Sequence, residues 1–400
     1  MQRHRTAATA LLFGLAMLLP SCRGPAPPAA EVERWAGKGV LCADLDDDGL
    51  DEIVSWASQE REATVRVYDA DRGVPRQAYT LTTPAPLTAV VAARLARDRA
   101  PALVLCHGSR VTLVQHDSGA YVDSDACDAG ALIRSAAALD ADADDADEVV
   151  LLTGGIDEDG ALRGASLRVF AWRQSALEPE PAGLDAVSHP AAFTPVPVWP
   201  GESARLLVWR QTFRAFEPSR VASPVVFGAM AGGLMPLWEG PETPRSPDQC
   251  LFADLDGDGG LEMLAAQPLT GGGHLLRCYN ATGGRLEDPR DAVEPVGLLS
   301  PLAAVQFDKD RGQEIAFADS PKAGVAELTV RKWNEGQLDS LWSGDVSEAA
   351  CSVAVGNILR GEVGAGPAAR RERPQELVCL DGSDLVIVSH KDDEISMTRH

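Results

Sequence analysis

The chain has 400 residues, with 36 Lys and Arg against 59 Asp and Glu, and a formal net charge of −23. So acidic a balance argues against a nucleic-acid partner, because phosphate backbones are bound by clustered positive charge. The eight cysteines include no CxxC pair, which removes the usual zinc and dithiol redox motifs.

In chain order, the first element is an address. Arg3 and Arg5 form a basic start, residues 6–19 an apolar run too short to cross a bilayer, and Leu19-Pro20-Ser21-Cys22 closes it. A small residue directly before a cysteine resembles the bacterial lipoprotein processing site. The resemblance implies a signal peptide over 1–21 and lipidation of Cys22, with a Pro/Ala-rich tether over 22–37. Residue 23 is Arg and not Asp, which by the same resemblance favours the outer membrane. An ordinary signal peptide with a chance cysteine is the alternative. Without Arg3 and Arg5, 34 of the 36 basic residues remain against the same 59 acids, a formal charge of −25. The seven later cysteines sit mostly among strand-like apolar residues and read as buried free thiols, with a disulfide as the alternative; the odd count leaves at least one of them unpaired or paired outside the chain.

Beyond the leader the chain repeats. Each unit has an apolar strand, an acidic loop, a second apolar strand, then an alternating strand and a turn. The first unit reads ADLDDDGLDEIVSW around Asp44, and the second keeps the strands but loses the acids, ARLARDRAPALVL, from Arg94. The third is ALDADADDADEVVLL around Asp140, and the fourth is poorly marked, near Pro197 and leading to RLLVW. The fifth is ADLDGDGGLEMLAA around Asp254 and the sixth VQFDKDRGQEIAFA, with its loop from Gln306 to Glu314. The seventh, VGNILRGEV from Gly356, leads to ELVCL through a locally basic insertion over 361–374. The six intervals from residue 44 to residue 356 average 52 residues.

Every unit but the fourth also shows a period-two segment running into a polar turn, such as VRVYDADRG from Val65 or LTVRKWNEG from Leu328. Four short strands at this period predict an all-β, seven-bladed β-propeller over 38–400, built of four-stranded blades. Six or eight blades, and a linear solenoid, remain open. The seventh unit holds four strands of its own, so a strand exchanged between the termini is not required to close the ring.

The acidic loops carry the chemistry. Asp254, Asp256 and Asp258 alternate, Gly259 permits a sharp turn, the residue after it offers a carbonyl, and Glu262 completes a shell of hard oxygens. Such a shell suits calcium better than magnesium, which demands tighter octahedral geometry.

This pattern between two apolar strands resembles the FG-GAP/VCBS repeats of integrin-α-like propellers. The resemblance implies calcium ligands Asp44, Asp46, Asp48, the Leu50 carbonyl and Glu52 in the first unit, and Asp140, Asp142, Asp144, the Ala146 carbonyl and Glu148 in the third. In the fifth unit they are Asp254, Asp256, Asp258, the Gly260 carbonyl and Glu262; in the sixth, more weakly, Gln306, Asp308, Asp310, the Gly312 carbonyl and Glu314. Asp145 replaces the turn glycine of the third loop, which Asp tolerates in a left-handed conformation. Gln306 and Arg311 weaken the sixth. The expected order of affinity is the Asp254, Asp44, Asp140 and Gln306 loops.

A metal between two strands of one blade fixes strand geometry, so its expected role is structural. The expected function is a monomeric, cell-envelope-anchored adhesion or binding module for an envelope protein or glycan. The alternative is a lectin-like or polysaccharide-active propeller using Trp56, Trp172, Trp199, Trp209, Trp238, Trp333 or Trp342, although most of these fall within strand segments. No nucleophile elbow, HExxH or other catalytic spacing involves the histidines, so an enzyme is not expected.

Overall fold

The computed structural model describes residues 37–400 apart from 70–73, 143, 157–161, 174–175, 181–189, 197–204, 214–219, 231–232, 244–245, 283–284, 288–289, 292–295, 309, 323, 335, 348, 359–374 and 392–393. Cys22, the tether before residue 37, Trp199, the start of the fourth loop and the insertion at 361–374 lie outside the described residues.

The protein is a seven-bladed β-propeller, each blade an antiparallel meander of four strands. Blade one comprises β1 (Lys38–Ala43), β2 (Glu52–Ser58), β3 (Ala63–Asp69) and β4 (Arg76–Thr83). Blade two comprises β5 (Leu87–Ala93), β6 (Ala102–His107), β7 (Arg110–Asp117) and β8 (Ala120–Asp128). Blade three is β9 (Ile133–Leu139), β10 (Glu148–Ile156), β11 (Leu162–Arg173) and β12 (Ala176–Pro179). Blade four is β13 (Pro190–Val196), β14 (Arg205–Phe213), β15 (Arg220–Met230) and β16 (Gly233–Glu239). Blade five has β17 (Gln249–Ala253), β18 (Leu261–Pro268) and β19 (His274–Thr282), its outer edge split into β20 (Arg285–Leu286) and β21 (Arg290–Asp291), which both pair with β19. Blade six is β22 (Ala303–Val305), β23 (Glu314–Lys322), β24 (Val325–Asn334) and β25 (Gln337–Val346). Blade seven is β26 (Ala350–Gly356), β27 (Glu376–Asp381), β28 (Asp384–Lys391) and β29 (Glu394–Arg399).

The near-continuous apolar second strands follow from burial on both faces. Side chains alternate across a strand, so neighbours in sequence serve different interfaces. In β10, Val149 and Leu151 pack toward blade two while Val150 and Leu152 pack toward blade four. The core is accordingly seven apolar clusters, one between each pair of adjacent blades, and not a single centre. Each fully buried Val, Leu or Ile contributes roughly 1.5–3 kcal/mol over its exposed state.

One of these clusters, joining Val40 and Ile53 of blade one to Val378, Leu380 and Ile387 of blade seven, closes the ring. Among the described residues no strand crosses that seam: the four strands of blade seven are consecutive, and so are those of blade one. The Val40 amide donates to Ser352 Oγ across it, at 3.1 Å.

The fourth unit, weakly marked in sequence, is a full blade. Its third strand β15 pairs along its length with β14 despite Pro224, which stands opposite Trp209. Six of the cysteines, Cys42, Cys106, Cys127, Cys250, Cys278 and Cys379, are free, and burial is the main cause that raises the thiol pKa of Cys42, Cys106, Cys127 and Cys250.

Candidate metal sites

Each acidic loop joins the first and second strands of its blade, and its path is set by side chains of its own. In blade one, Asp44 Oδ2 accepts the Gly49 amide at 2.9 Å, Asp46 Oδ1 accepts that of Asp48 at 3.0 Å, and Asp48 Oδ1 accepts that of Leu50 at 2.8 Å. Blade five repeats this, with Asp254 on Gly259, Asp256 on Asp258 and Asp258 on Gly260. Blade three does so with Asp140 on Asp144 and Asp145, and Asp144 on Ala146. The turn needs a left-handed residue at the sixth loop position, where Gly49 has φ 89°, Gly259 φ 87° and Asp145 φ 68°. The Asp145 value is what the missing glycine of the third loop requires.

The glutamate that opens the second strand ties the loop back. One oxygen of Glu52 accepts the Leu45 amide at 2.7 Å, and Glu148, Glu262 and Glu314 do the same for Ala141, Leu255 and Phe307. Blade seven, which has lost the aspartates, keeps this bond between Glu376 and Ile358.

Among the described residues three clusters of carboxylates converge, with one oxygen of each member within 4.8 Å of the others: Asp44, Asp46 and Asp48; Asp140, Asp142 and Glu148; Asp254, Asp256 and Glu262. In each, three of the four acids expected from sequence come together; Glu52, Asp144 and Asp258 stand just outside. Asp44 Oδ1 and Asp254 Oδ1 are buried and accept no hydrogen bond. Burial, with the neighbouring carboxylates adding to it, pushes Glu52 up to about 8 and Glu148 and Glu262 to about 7. It raises Asp44, Asp142 and Asp254 too. Orphaned acceptors among crowded, desolvated carboxylates are the arrangement a cation relieves, so these residues fit a hard metal ion.

The sixth loop differs. Its fourth expected set is bridged by the ammonium of Lys332 on β24, which lies 2.5 Å from Asp308 Oδ2, bonds Asp310 Oδ2, and stands 4.0 Å from Glu314 Oε1. Gln306 turns its amide inward and donates to the carbonyls of Asp308, Asp310 and Gly312 at 3.3, 2.5 and 3.4 Å. Burial works against the charge of Asp308, yet the hydrogen bond from Lys332 holds its carboxyl below the usual value. Burial and Asp308 push Glu314 up to about 7 in spite of Lys332.

Sequence reasoning also missed a set of clasps between blades. The residue before the glutamate that opens the second strand exchanges two hydrogen bonds with the first loop residue of the preceding blade. Asp51 accepts the Asn357 amide at 2.7 Å and returns its own amide to the Asn357 carbonyl. Asp147 pairs in this way with Arg94, Gln313 with Asp254, and Gln375 with Gln306. The loops thus gather at one end of the ring, close enough that a Cβ on Gly257 would meet the Gly312 amide at 2.8 Å. The signal was present in the Asp-Glu and Gln-Glu dipeptides of blades one, three, six and seven. The loop of blade two, which lacks the alternating aspartates, adds Arg94 at 3.4 Å from Asp47 and Arg97 at 3.3 Å from Asp145, exposed pairs of small energetic weight.

The six described tryptophans of the glycan alternative all pack into the inter-blade clusters, Trp209 completely. Histidines 107, 116, 274 and 390 contact Thr112, Tyr121, Asp248 and Phe307 respectively.

No protein-family model matches the sequence, and no curated protein does. Among solved structures the chain is similar to one described as BBS1N in complex with ARL6DN, soaked with mercury, at 12% identity over 90% of this chain and 91% of that one, with a TM-score of 0.51. It also resembles the exotype rhamnogalacturonan lyase YesX, at 15% identity over 88% of this chain and 61% of that one, with a TM-score of 0.48. At such identities the likeness extends to the propeller fold alone.

Proposed function

We propose that this chain is a calcium-stiffened propeller of the FG-GAP/VCBS kind, held in the bacterial outer membrane by lipid on Cys22, that serves as a binding or adhesion platform for an envelope protein or glycan and catalyses no reaction. The observation that carries the calcium part is the repeated convergence of three carboxylates in blades one, three and five, with buried Asp44 and Asp254 oxygens lacking any donor. A metal there sits inside a loop whose amides are already committed to the same carboxylates. It would stiffen one end of the ring and leave the remaining loops to recognition. Against the lectin-like alternative stands the packing of the described tryptophans on the inter-blade clusters, complete for Trp209 and partial for Trp56, Trp172, Trp238, Trp333 and Trp342.

The anchor and the platform have separate tests. A Cys22→Ser variant should leave the membrane fraction, since the acyl chains are the expected anchor; retention would refute the lipoprotein reading. Capture of a defined envelope protein or glycan that is lost when calcium is chelated supports the platform. Turnover of a polysaccharide by the purified chain would replace it with the enzymatic reading.

A further inference from the structure

In the blades with an acidic loop, the third strand brings one residue beside the glutamate at the start of the second. In blade five it is Asn280, paired in register with Glu262. In blade one Tyr68 pairs with Ile53, so Asp69 comes next to the level of Glu52; in blade three Phe170 pairs with Val149, so Ala171 comes next to that of Glu148. These three are oxygen-bearing or small, and none is a cation. In blade six Arg331 pairs with Ile315, and the next residue is Lys332, at the level of Glu314.

Lys332 does not turn to solvent from that position. Its ammonium enters the loop and touches the carboxylates of the third and fifth loop positions, Asp308 and Asp310. In blade six the first loop position has changed as well, from the Asp of blades one, three and five to Gln306. An aspartate oxygen there accepts amides and would face a metal, whereas the Gln306 Nε2 donates to the Gly312 carbonyl, the group expected to serve a metal at the seventh position. The two changes compensate: one carboxylate is removed, and a fixed positive charge and inward N–H donors are supplied.

We infer that the Lys332 ammonium, together with the Gln306 amide, is a built-in replacement for the metal ion in blade six, so that this loop holds its shape without calcium and is closed to it. The word calcium here rests on the reading proposed for the other three loops; the replacement itself rests on the contacts of Lys332 and Gln306.

The test compares the full-length chain with a Gln306→Asp/Lys332→Asn variant, which copies blade five. Native mass spectrometry with calcium should count one more ion in the folded variant than in the parent. Hydrogen exchange of the parent in chelator should show the Leu45, Ala141 and Leu255 amides losing protection while Phe307 keeps it. Equal ion counts in a folded variant overturn the inference, and so does loss of Phe307 protection on chelation of the parent. If the variant fails to fold, the parent's exchange pattern decides alone. A parent that binds no ion beside a variant that binds one upholds the role of Lys332 and removes the calcium reading of the other loops.

Discussion

Blades five and six stand side by side, share a loop-to-loop clasp through Gln313 and Asp254, and solve one electrostatic problem in two ways. Both gather aspartates beside a buried glutamate that holds the amide of the second loop residue, Leu255 or Phe307. Blade five leaves Asp254 Oδ1 without a donor among the described residues, whereas blade six reaches in with Lys332. The difference teaches that the loop backbone is encoded by amide-to-carboxylate bonds common to both, while the neutralising charge is a separate choice. A diffusible ion makes stability depend on the medium; a tethered ammonium does not.

Chelation should break the comparison most strongly. An ion that binds only the folded chain adds roughly 2.7 kcal/mol per site at a hundredfold excess over its dissociation constant. Differential scanning calorimetry should therefore show a marked fall in Tm with chelator, and the exchange-labile regions should be blades one, three and five. Next in size is Glu262→Ala against Glu376→Ala. The first loses the metal as well as the partner of the Leu255 amide, roughly 4 kcal/mol or more in calcium, and the second only the partner of Ile358, about 1–3 kcal/mol. Urea unfolding in calcium and in chelator should show the gap between the two narrowing when the ion is removed.

The pH dependence sharpens the same contrast. Glu52, Glu148 and Glu262 rise from an ordinary value of 4.5 to about 8, 7 and 7, chiefly through burial. The metal-free folded chain then holds more protons than the unfolded one between pH 4.5 and about 8. Its stability is highest below that window and falls as pH rises through it. In saturating calcium the trend should reverse, because the ion binds the deprotonated carboxylates. Thermal melts at pH 5 and pH 8, with and without calcium, check the sign. The smallest effect is expected for Asp51→Ala, which removes one of the two hydrogen bonds of the clasp to Asn357 at the ring seam and costs about 1–2 kcal/mol. It should raise exchange locally in blades one and seven.

The architecture was legible wherever a strand carried alternation into a glycine or acid-rich turn, and six of the seven blades could be placed in that way. The fourth was faint because its loop has no acid pattern and the apolar pattern of its third strand, RVASPVVFGAM, is interrupted by Pro224. Blade count nevertheless followed from the period. The three carboxylate clusters were legible because their ligands are close in sequence, and the left-handed Asp145 followed from the position of the missing glycine. Lys332 was not found, since it lies on a different strand, 22 residues beyond Asp310, and reads there as an outward polar residue of an alternating segment. Aligning third strands against the glutamates, and not the loops alone, would have exposed it. The clasps were missed because each joins residues of two different blades: Asp51 serves Asn357 and Asp147 serves Arg94, so neither pairing shows in the sequence of a single loop.

The most direct measurement is the number of calcium ions carried by the full-length chain in native mass spectrometry over a calcium titration. The account predicts three, lost one at a time by Asp46→Ala, Asp142→Ala and Asp256→Ala and unaffected by Asp308→Ala. No bound ion at millimolar calcium would contradict the metal reading, and a fourth ion removed by Asp308→Ala would contradict the role given to Lys332.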